Sequence, residues 1–410
     1  FIFTYLSNLP AKVLNILHIC NFFYCFLLWH TFCILFYAQQ PITKNFLTLL
    51  TMKRLLILSC FLASSFFAQR AWACTGIMLH TTDSHPVTAR TIEWAATPLH
   101  AMYVVVPRGQ MQQSMLPDGS MNGKQFTAKY GYVGIAVEET EFIMEGINES
   151  GLGAGLFYFP HYGEYMPYNE KNKEQAISDM QVVAWILSNF SSIDELRAGI
   201  QDVHIIATDP RASTVHWRIT EPSGRQVVLE IIKQQVRFYE NPLGVLTNSP
   251  EFTWHITNLN NYVNLSAGSV NHQQIGRLSL DAFGGGSGLH GLPGDMTPPS
   301  RFIRAAFFQS TAPRLEDEDA TVIQAFHLLN NFDIPVGVQF ADIREVPNMP
   351  SATQITIACD LSNQRLYYRT MYNASIRCID LHNIRFDKVK FQFAALDIDK
   401  RQPIEEIKIR

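Results

Sequence analysis

The chain has 410 residues, of which 47% are hydrophobic, and contains 32 basic and 36 acidic residues. Its first 73 residues hold five basic and no acidic residues, which leaves 27 basic against 36 acidic residues for the rest. No basic stripe is left to bind a nucleic acid, so the composition argues against that partner class. The length suffices for one large core or two modest ones.

The N-terminal region contains two apolar stretches. The first, 13–37, is long enough to span a bilayer, although His18, Asn21 and His30 interrupt it. The second belongs to a complete secretory signal, with a basic segment at 52–54, an apolar run over 55–67 and small residues at Ala71 and Ala73.

We interpret these stretches as a doubtful upstream extension over 1–51, with translation starting at Met52, and a signal peptide over 52–73. Residues 74–410 then form a single domain without a stable membrane anchor, and the protein is periplasmic or secreted. In the alternative interpretation, 13–37 is a true anchor and Cys74 stays inside the chain.

Cleavage after Ala73 would give Cys74 both a thiol and a free α-amine. A thiol reacts as thiolate and needs a base to take its proton. An α-amine titrates near pH ~8, against about 10.4 for lysine, so it can act as that base. The alternatives are a lipid-modified lipoprotein cysteine, although bulky Trp72 is unusual at such a site, or a cysteine placed there by chance.

The other cysteines predict no disulfide framework. Four of the seven lie before Cys74, and only Cys359 and Cys378 follow it. These two could pair, but a strand between their strands favours two buried thiols. The sequence has no Cys-x-x-Cys and no His-Glu-x-x-His, and its glycine-rich loop, 284–288, lacks a following Gly-Lys-Ser/Thr. It therefore predicts neither a metal nor a cofactor.

From Cys74 onward the sequence alternates strand-rich and helix-rich regions. The predicted strands are 75–80, 86–93, 102–107, 126–137, 142–147, 152–159, 214–219, 226–232, 236–240, 354–360, 365–372, 376–381 and 389–395. The predicted helices are 176–190, 192–203, with a capping-box start at Ser192, 253–262, 300–309 and 320–331. Without a linker-like break in composition, this order predicts one α+β domain of stacked sheet and helix layers.

Five phrases together resemble the choloylglycine hydrolase family, which includes conjugated bile salt hydrolases and penicillin V acylases. They are Cys74-Thr75-Gly76, Arg90-Thr91-Ile92-Glu93-Trp94, Asn148-Glu149-Ser150-Gly151-Leu152, Gly244-Val245-Leu246-Thr247-Asn248-Ser249-Pro250, and Gly291-Leu292-Pro293-Gly294-Asp295 leading into Ser300-Arg301-Phe302. Each phrase is weak alone, but they occur in the family's order and spacing.

The resemblance implies an N-terminal-nucleophile hydrolase with a four-layer αββα sandwich. It implies hydrolysis of linear amides in small molecules: bile acid conjugates, penicillin V, or, as an alternative, acyl-homoserine lactones or N-acyl amino acids. It also implies a possible homotetramer, since relatives are often tetrameric. A binding module lipidated at Cys74 is the alternative from another class.

The resemblance also implies roles for single residues. Cys74 matches the nucleophile, Arg90 the arginine beside its sulfur, and Asn248 an oxyanion donor. Arg301 matches a second arginine that stabilises charge around the cysteine. Glu93 stands where the family commonly has an Asp that steadies the N-terminal amine, and is one methylene longer.

Three aromatic residues are candidates for substrate contacts. We place Phe157 where bile-salt-cleaving relatives often carry Asn, so that only its backbone N–H could serve an oxyanion, as in acylases with a Tyr there. Trp94, Phe157 and Tyr158 flank the catalytic positions and could line an apolar acyl pocket, although core packing explains each of them equally well.

Overall fold

The computed structural model describes residues 73–94, 97–209, 213–338 and 349–409. These residues belong to a unit that spans Arg70–Arg410. The predicted upstream extension and all of the predicted signal peptide except Ala73 lie outside the described residues, so both stay predictions.

Most strands belong to two large sheets. The strands of the described residues are β1 (Ala73–His80), β2 (Pro86–Glu93), β3 (Ala101–Val106), β4 (Met111–Gln113), β5 (Gln125–Thr127), β6 (Tyr132–Val137), β7 (Ile143–Asn148), β8 (Gly153–Tyr158), β9 (Ala176–Ser178), β10 (His204–Ile206), β11 (Val215–Thr220), β12 (Gln226–Ile232), β13 (Gln235–Glu240), β14 (Gln273–Ile275), β15 (Leu278–Leu280), β16 (Thr353–Asp360), β17 (Arg365–Thr370), β18 (Asn373–Asp380) and β19 (Gln392–Ala395).

The α-helices of the described residues are α1 (Val182–Asn189), α2 (Ile193–Gly199), α3 (Phe252–Asn258), α4 (Pro298–Thr311) and α5 (Glu318–Leu329). Short 3₁₀ helices extend or connect them at Glu170–Gln175, Asp179–Gln181, Ile200–Asp202, Leu259–Tyr262, Ser287–Leu289, Asn330–Phe332 and Leu381–Asn383.

The first large sheet has the strand order β1-β2-β16-β17-β18, and the second has the order β13-β12-β11-β8-β7-β6-β3-β19. Neighbouring strands are antiparallel in both. Two-stranded ladders form between β4 and β5, β9 and β10, and β14 and β15.

One apolar core joins the two sheets. It includes Ile92 and Ile357 from the first sheet with Val133, Ile147 and Leu156 from the second. Helices α4 and α5 pack on strands of the first sheet, whereas α1 packs on β7 and β8 of the second. The layers are therefore helix, sheet, sheet and helix, and the predicted αββα sandwich is present.

Several predicted elements have the observed bounds or nearly so. Strands Pro86–Glu93 and Gln226–Ile232 begin and end where the sequence predicts them. Ser192 caps α2, since its side chain accepts a hydrogen bond from Glu195 N at 3.2 Å. The Glu195 carboxylate completes a variant of the expected box by accepting from Ser191 N rather than from Ser192 N.

Two predicted elements are wrong in part. The predicted strand 126–137 is two strands, β5 and β6. The predicted helix 176–190 begins as β9, which pairs in parallel with β10. The side chains of this segment are buried in the strand as well as in the helix, so its apolar spacing does not separate the two conformations. The wholly exposed β14–β15 hairpin was not predicted.

The cysteine prediction is correct in its topology and wrong for one thiol. Cys359 on β16 is buried, Cys378 on β18 is exposed, and β17 lies between their strands. Both are free, and so is Cys74.

Candidate active site

Cys74 lies near the start of β1 and is fully buried, with Ala73 still joined to it. The chain around Leu246 runs antiparallel beside β1, with Gly76 N donating to Leu246 O at 2.7 Å and Leu246 N to Gly76 O at 3.1 Å. Continued by two residues, this register places Asn248 beside Cys74. The Asn248 side-chain oxygen accepts from Cys74 N at 2.9 Å. Two residues 174 positions apart are thus brought together by strand register.

Arg90 holds the sulfur from the neighbouring strand. It pairs with Gly76 across β1 and β2, so its side chain shares a face with Cys74. Arg90 Nη2 donates to Cys74 Sγ at 2.8 Å. Its Nη1 donates to the carbonyl oxygens of Met144, at 3.0 Å, and Leu156. The guanidinium therefore bridges the sulfur to two strands of the second sheet.

Buried charged groups and an aromatic ring of the second sheet hold the Arg90 guanidinium in place. Glu145 Oε2 lies 3.7 Å from Arg90 Nη1, and Glu145 Oε1 accepts from Arg218 Nη2 at 2.9 Å. The Phe157 ring packs against both guanidiniums, with Arg90 Cζ 4.0 Å from its centroid. Gly76 leaves room for this packing, since a Cβ there would lie 2.8 Å from both Arg218 and Phe157. The arginine orientation is thus determined by the core.

Arg301 lies near the start of α4 and contacts the backbone of β1 from the other face of the strand. Its Nη1 donates to Cys74 O and, at 2.8 Å, to Thr75 Oγ1. Its Nη2 donates to the Asn248 side-chain oxygen at 2.6 Å. Burial lowers the pKa of Arg301, while Glu93 and Cys74 oppose that effect. Arg301 is therefore a buried cation that ties the Cys74 backbone to the Asn248 side chain.

Glu93 lies opposite Ala73 in the β1–β2 pair and is fully buried. Its Oε1 is 3.5 Å from Thr353 Oγ1, and its Oε2 has no hydrogen-bond partner. Burial raises the pKa of Glu93 to about 7, although Arg301, a hydrogen bond with Thr91 and Arg90 lower it. An unpaired buried carboxylate is costly, so this oxygen is suited to a cation that appears beside Cys74.

The titration of Cys74 reflects opposing influences. Burial raises the pKa of the thiol above its ordinary value, and Arg90 is the largest influence in the other direction. Glu93 raises the pKa, whereas a hydrogen bond from the Tyr158 backbone N–H and the charge of Arg301 lower it. Burial and Glu93 therefore disfavour the thiolate, and Arg90, the Tyr158 N–H and Arg301 offset them only in part.

The backbone N–H that reaches the sulfur belongs to Tyr158, one residue after the predicted position. The Phe157 side chain is fully buried beneath the arginines, so it contributes packing here rather than an open pocket wall. The Tyr158 and Trp94 side chains are partly buried and pack against the main core. Trp94 also donates from Nε1 to Thr97 Oγ1 at 3.0 Å. A substrate contact for Trp94 or Tyr158 stays a prediction.

Asn248 uses both ends of its amide. Its oxygen accepts from Cys74 N and Arg301, and its Nδ2 donates to Tyr158 O at 2.8 Å. One of the two Nδ2 hydrogens is thus already used in a hydrogen bond. The structure brings the five predicted catalytic residues, Cys74, Arg90, Glu93, Asn248 and Arg301, to one buried place, while their roles stay predictions.

The sequence analysis missed Glu145 and Arg218. Both are charged residues inside apolar strands, β7 and β11, and both are buried. That pattern could have indicated them, because charges in strand interiors are rarely buried without partners. Among the described residues, no group of three or more His, Cys, Asp or Glu could hold a metal ion. Nor does any helix there have the length and apolarity needed to cross a membrane.

Comparison with known sequences gives one family. The family model described as linear amide C–N hydrolases, choloylglycine hydrolase family, matches residues 74–392. A bile salt hydrolase/transferase of Clostridium perfringens is 33% identical over 320 residues, 77% of this chain and 94% of that protein. Another, of Lactiplantibacillus plantarum, is 30% identical over 264 residues, 63% of this chain and 79% of that protein.

Two solved structures share the architecture. A mutant conjugated bile acid hydrolase from Clostridium perfringens has a TM-score of 0.70 at 31% identity, covering 82% of this chain and 100% of that chain. Penicillin V acylase from Agrobacterium tumefaciens has a TM-score of 0.63 at 20% identity, covering 80% of this chain and 94% of that chain. At that identity the second likeness concerns the fold alone.

Proposed function

The chain belongs to the choloylglycine hydrolase family of linear amide C–N hydrolases, and we propose that it cleaves amides with Cys74 as an N-terminal nucleophile. In this proposal the residues before Cys74 are removed, and the new α-amine is the general base. The family match itself begins at Cys74, directly after the predicted cleavage site.

The observation that carries the proposal is the environment of Cys74. Its sulfur accepts from a buried arginine at 2.8 Å, and its backbone nitrogen is held by Asn248 at 2.9 Å. On the neighbouring strand, opposite Ala73, Glu93 has a buried oxygen with no hydrogen-bond partner, and its charge acts on Cys74. An ammonium formed at Cys74 would be stabilised by the Asn248 oxygen that already accepts from this nitrogen, and by the nearby negative charge of Glu93.

The reaction then proceeds in two halves. The α-amine takes the thiol proton, and the sulfur attacks the amide carbonyl carbon to form a tetrahedral oxyanion. The ammonium gives its proton to the leaving nitrogen, the C–N bond breaks, and an acyl-thioester remains on Cys74. Water, deprotonated by the same amine, attacks the thioester, and the carboxylic acid and the thiol are released.

In this proposal two groups donate to the oxyanion. The Tyr158 backbone N–H is directed at Cys74 Sγ, the atom that joins the tetrahedral centre. Asn248 Nδ2 carries a second hydrogen besides the one it gives to Tyr158 O. One such donor contributes about 3 kcal/mol to the transition state.

For the substrate we propose conjugated bile salts first, because the Clostridium perfringens and Lactiplantibacillus plantarum relatives described above are bile salt hydrolase/transferases. Penicillin V is the next candidate, and acyl-homoserine lactones and N-acyl amino acids are the alternatives. A panel of these amides, assayed for kcat/KM under one set of conditions, ranks them.

We further propose that the mature enzyme is exported to the periplasm or the medium, since the predicted signal peptide, 52–73, directly precedes Cys74. Homotetramer formation remains a prediction from the family. In the competing proposal of a lipoprotein, the Cys74 sulfur carries a diacylglyceryl group in thioether linkage and the amine is acylated, which leaves no nucleophile and no base.

The test is a pair of variants of the mature enzyme. Cys74→Ser is expected to fold and to lose activity, because an alcohol is a far weaker nucleophile than a thiol beside the same amine. Cys74→Ala should be inactive and bind the substrate. Wild-type turnover in the folded Ser variant contradicts the proposal, as does failure to trap any acyl group on Cys74 by acid quench and mass spectrometry.

A further inference from the structure

Three buried titratable side chains lie beside the candidate site and have no part in the proposed mechanism. They are His216 on β11, Glu230 on β12 and His255 on α3, and each has a relative exposure of 0%. Burial of three such groups is costly unless each has a specific partner.

The two histidines donate to neighbouring carbonyl oxygens. His255 Nε2 lies 2.9 Å from Asn248 O, and His216 Nε2 lies 3.2 Å from Thr247 O. A carbonyl oxygen only accepts, so each of these ring nitrogens carries a hydrogen. Burial lowers the pKa of His255 to about 4, so at neutral pH its single ring hydrogen is on Nε2.

Glu230 connects the two histidines. Its Oε1 lies 3.0 Å from His216 Nδ1 and accepts from Phe252 N at 3.0 Å. Phe252 is the first residue of α3, the helix that carries His255. Glu230 Oε1 therefore contacts the His216 ring directly. It also holds the start of α3, the helix that carries His255.

Aromatic rings fix the planes of both imidazoles. His216 stacks on Phe159 with ring centroids 4.5 Å apart, and His255 stacks on Phe302 at 4.7 Å. Phe302 follows Arg301 on α4, so the two side chains that contact the Asn248 region from this helix are consecutive residues. The hydrogen-bonding nitrogens therefore have little freedom to rotate away from the backbone they contact.

We infer that Glu230, His216 and His255 are positioning residues that hold the backbone of Thr247 and Asn248, and through it the Asn248 side chain, in register with Cys74. These three residues matter for the register because the pairing of this segment with β1 is an isolated bridge. That bridge joins Gly76 to Leu246, two residues before Asn248. A displacement of about 1 Å at a reacting group can lower a rate about 100-fold. The inference rests on the proposed catalytic role of Asn248.

The first test compares His255→Leu, which removes the donor, with His255→Gln, which supplies an N–H. His255→Leu is expected to lower kcat by about 10- to 100-fold with little change in KM, because the lost interaction acts in the transition state. His255→Gln should recover most of that loss. Equal kcat values for the two variants overturn the inference. His382→Gln, at an exposed histidine that contacts Asp380, is the matched control and should keep wild-type kcat.

The second test is a double-mutant cycle with Asn248→Ala. If His255 acts through Asn248, His255→Leu costs much less in the Asn248→Ala background than in the wild type. If His255→Leu lowers kcat by the same factor in both backgrounds, the inference is overturned. If Asn248→Ala alone keeps wild-type kcat, the proposed role of Asn248 fails. If Asn248→Ala loses kcat and His255→Leu does not, the positioning inference alone fails.

Should His255→Leu not fold, Glu230→Gln serves in the same cycle. It keeps the side-chain shape but replaces the carboxyl group that contacts His216 Nδ1 and accepts from Phe252 N by an amide. It is expected to lower kcat several-fold in the wild type and to have little effect in the Asn248→Ala background. An equal loss in both backgrounds overturns the inference.

Discussion

Replacement of Arg90 by methionine tests the electrostatic half of the proposed mechanism. Arg90 Nη2 lies 2.8 Å from Cys74 Sγ, and among the influences that favour thiolate its charge is the largest. An opposite charge at such range lowers an acid's pKa by about 1–3 units. Its loss should therefore raise the pKa of Cys74 by that amount. Below the pKa, the thiolate fraction at fixed pH then falls about 10- to 1,000-fold.

The assay is the rate of Cys74 alkylation by iodoacetamide between pH 5 and 10, followed by intact mass. Cys378→Ser should be the background for every variant, because Cys378 is exposed and would react with iodoacetamide, whereas Cys359 is buried. In Arg90→Met, Glu145 keeps its contact with Arg218 at 2.9 Å, which limits the damage to the fold. Arg385→Met, at an exposed arginine, is the control. The same pH midpoint in Arg90→Met and the wild type would refute this reasoning.

Two further predictions concern Glu93 and Trp94. In a tagged chain that retains Ala73, Glu93→Gln should raise the free energy of unfolding by up to about 3 kcal/mol above pH 7 and change little below pH 4.5. The wild-type carboxyl has a folded pKa of about 7, above its ordinary 4.5, so its ionisation costs stability as pH rises between these values. Urea unfolding at pH 4 and pH 8 measures this, and an equal difference at both pH values contradicts it. Trp94→Ala should raise KM for accepted amides if the indole lines the acyl pocket, and an unchanged KM for all of them removes Trp94 from the site.

Much of the site was predictable because it depends on local sequence. Cys74, Arg90 and Arg301 each lie on an element that was predicted at or close to its observed bounds, and the strand assignment of 86–93 is the observed one. What brings Cys74 and Asn248 together is antiparallel register between segments 174 positions apart, which no local pattern encodes. Here the family resemblance supplied what spacing could not.

The backbone N–H that reaches the Cys74 sulfur belongs to Tyr158, one residue after the position considered in the sequence. The side chains of successive strand residues point to opposite faces of the sheet. A difference of one position in the sequence therefore decides whether a residue packs in the core or faces the site. Phe157 lies beneath Arg90, whereas the Tyr158 N–H faces the sulfur. The residues of β8 do not show which side chains face the site, because nearly all of them are small or apolar and buried and polar and apolar positions do not alternate.

The supporting residues could not be assigned from sequence for a different reason. Glu145, Arg218, His216 and His255 each have their partners on other strands or loops. Their residue types indicate buried polar contacts, but only the stacking of two sheets specifies which atoms they meet. The same holds for the unpaired oxygen of Glu93, whose environment is formed by β1, β2 and α4 together.

The central claim is that the nucleophile is also the chain terminus. Purified enzyme of confirmed activity should be analysed by intact mass and by sequencing of its first residues. The account predicts a chain that begins at Cys74 with an unmodified α-amine, and loss of activity when that amine is selectively acetylated. Full turnover by protein that still carries Ala73, or whose Cys74 amine is blocked, would contradict it.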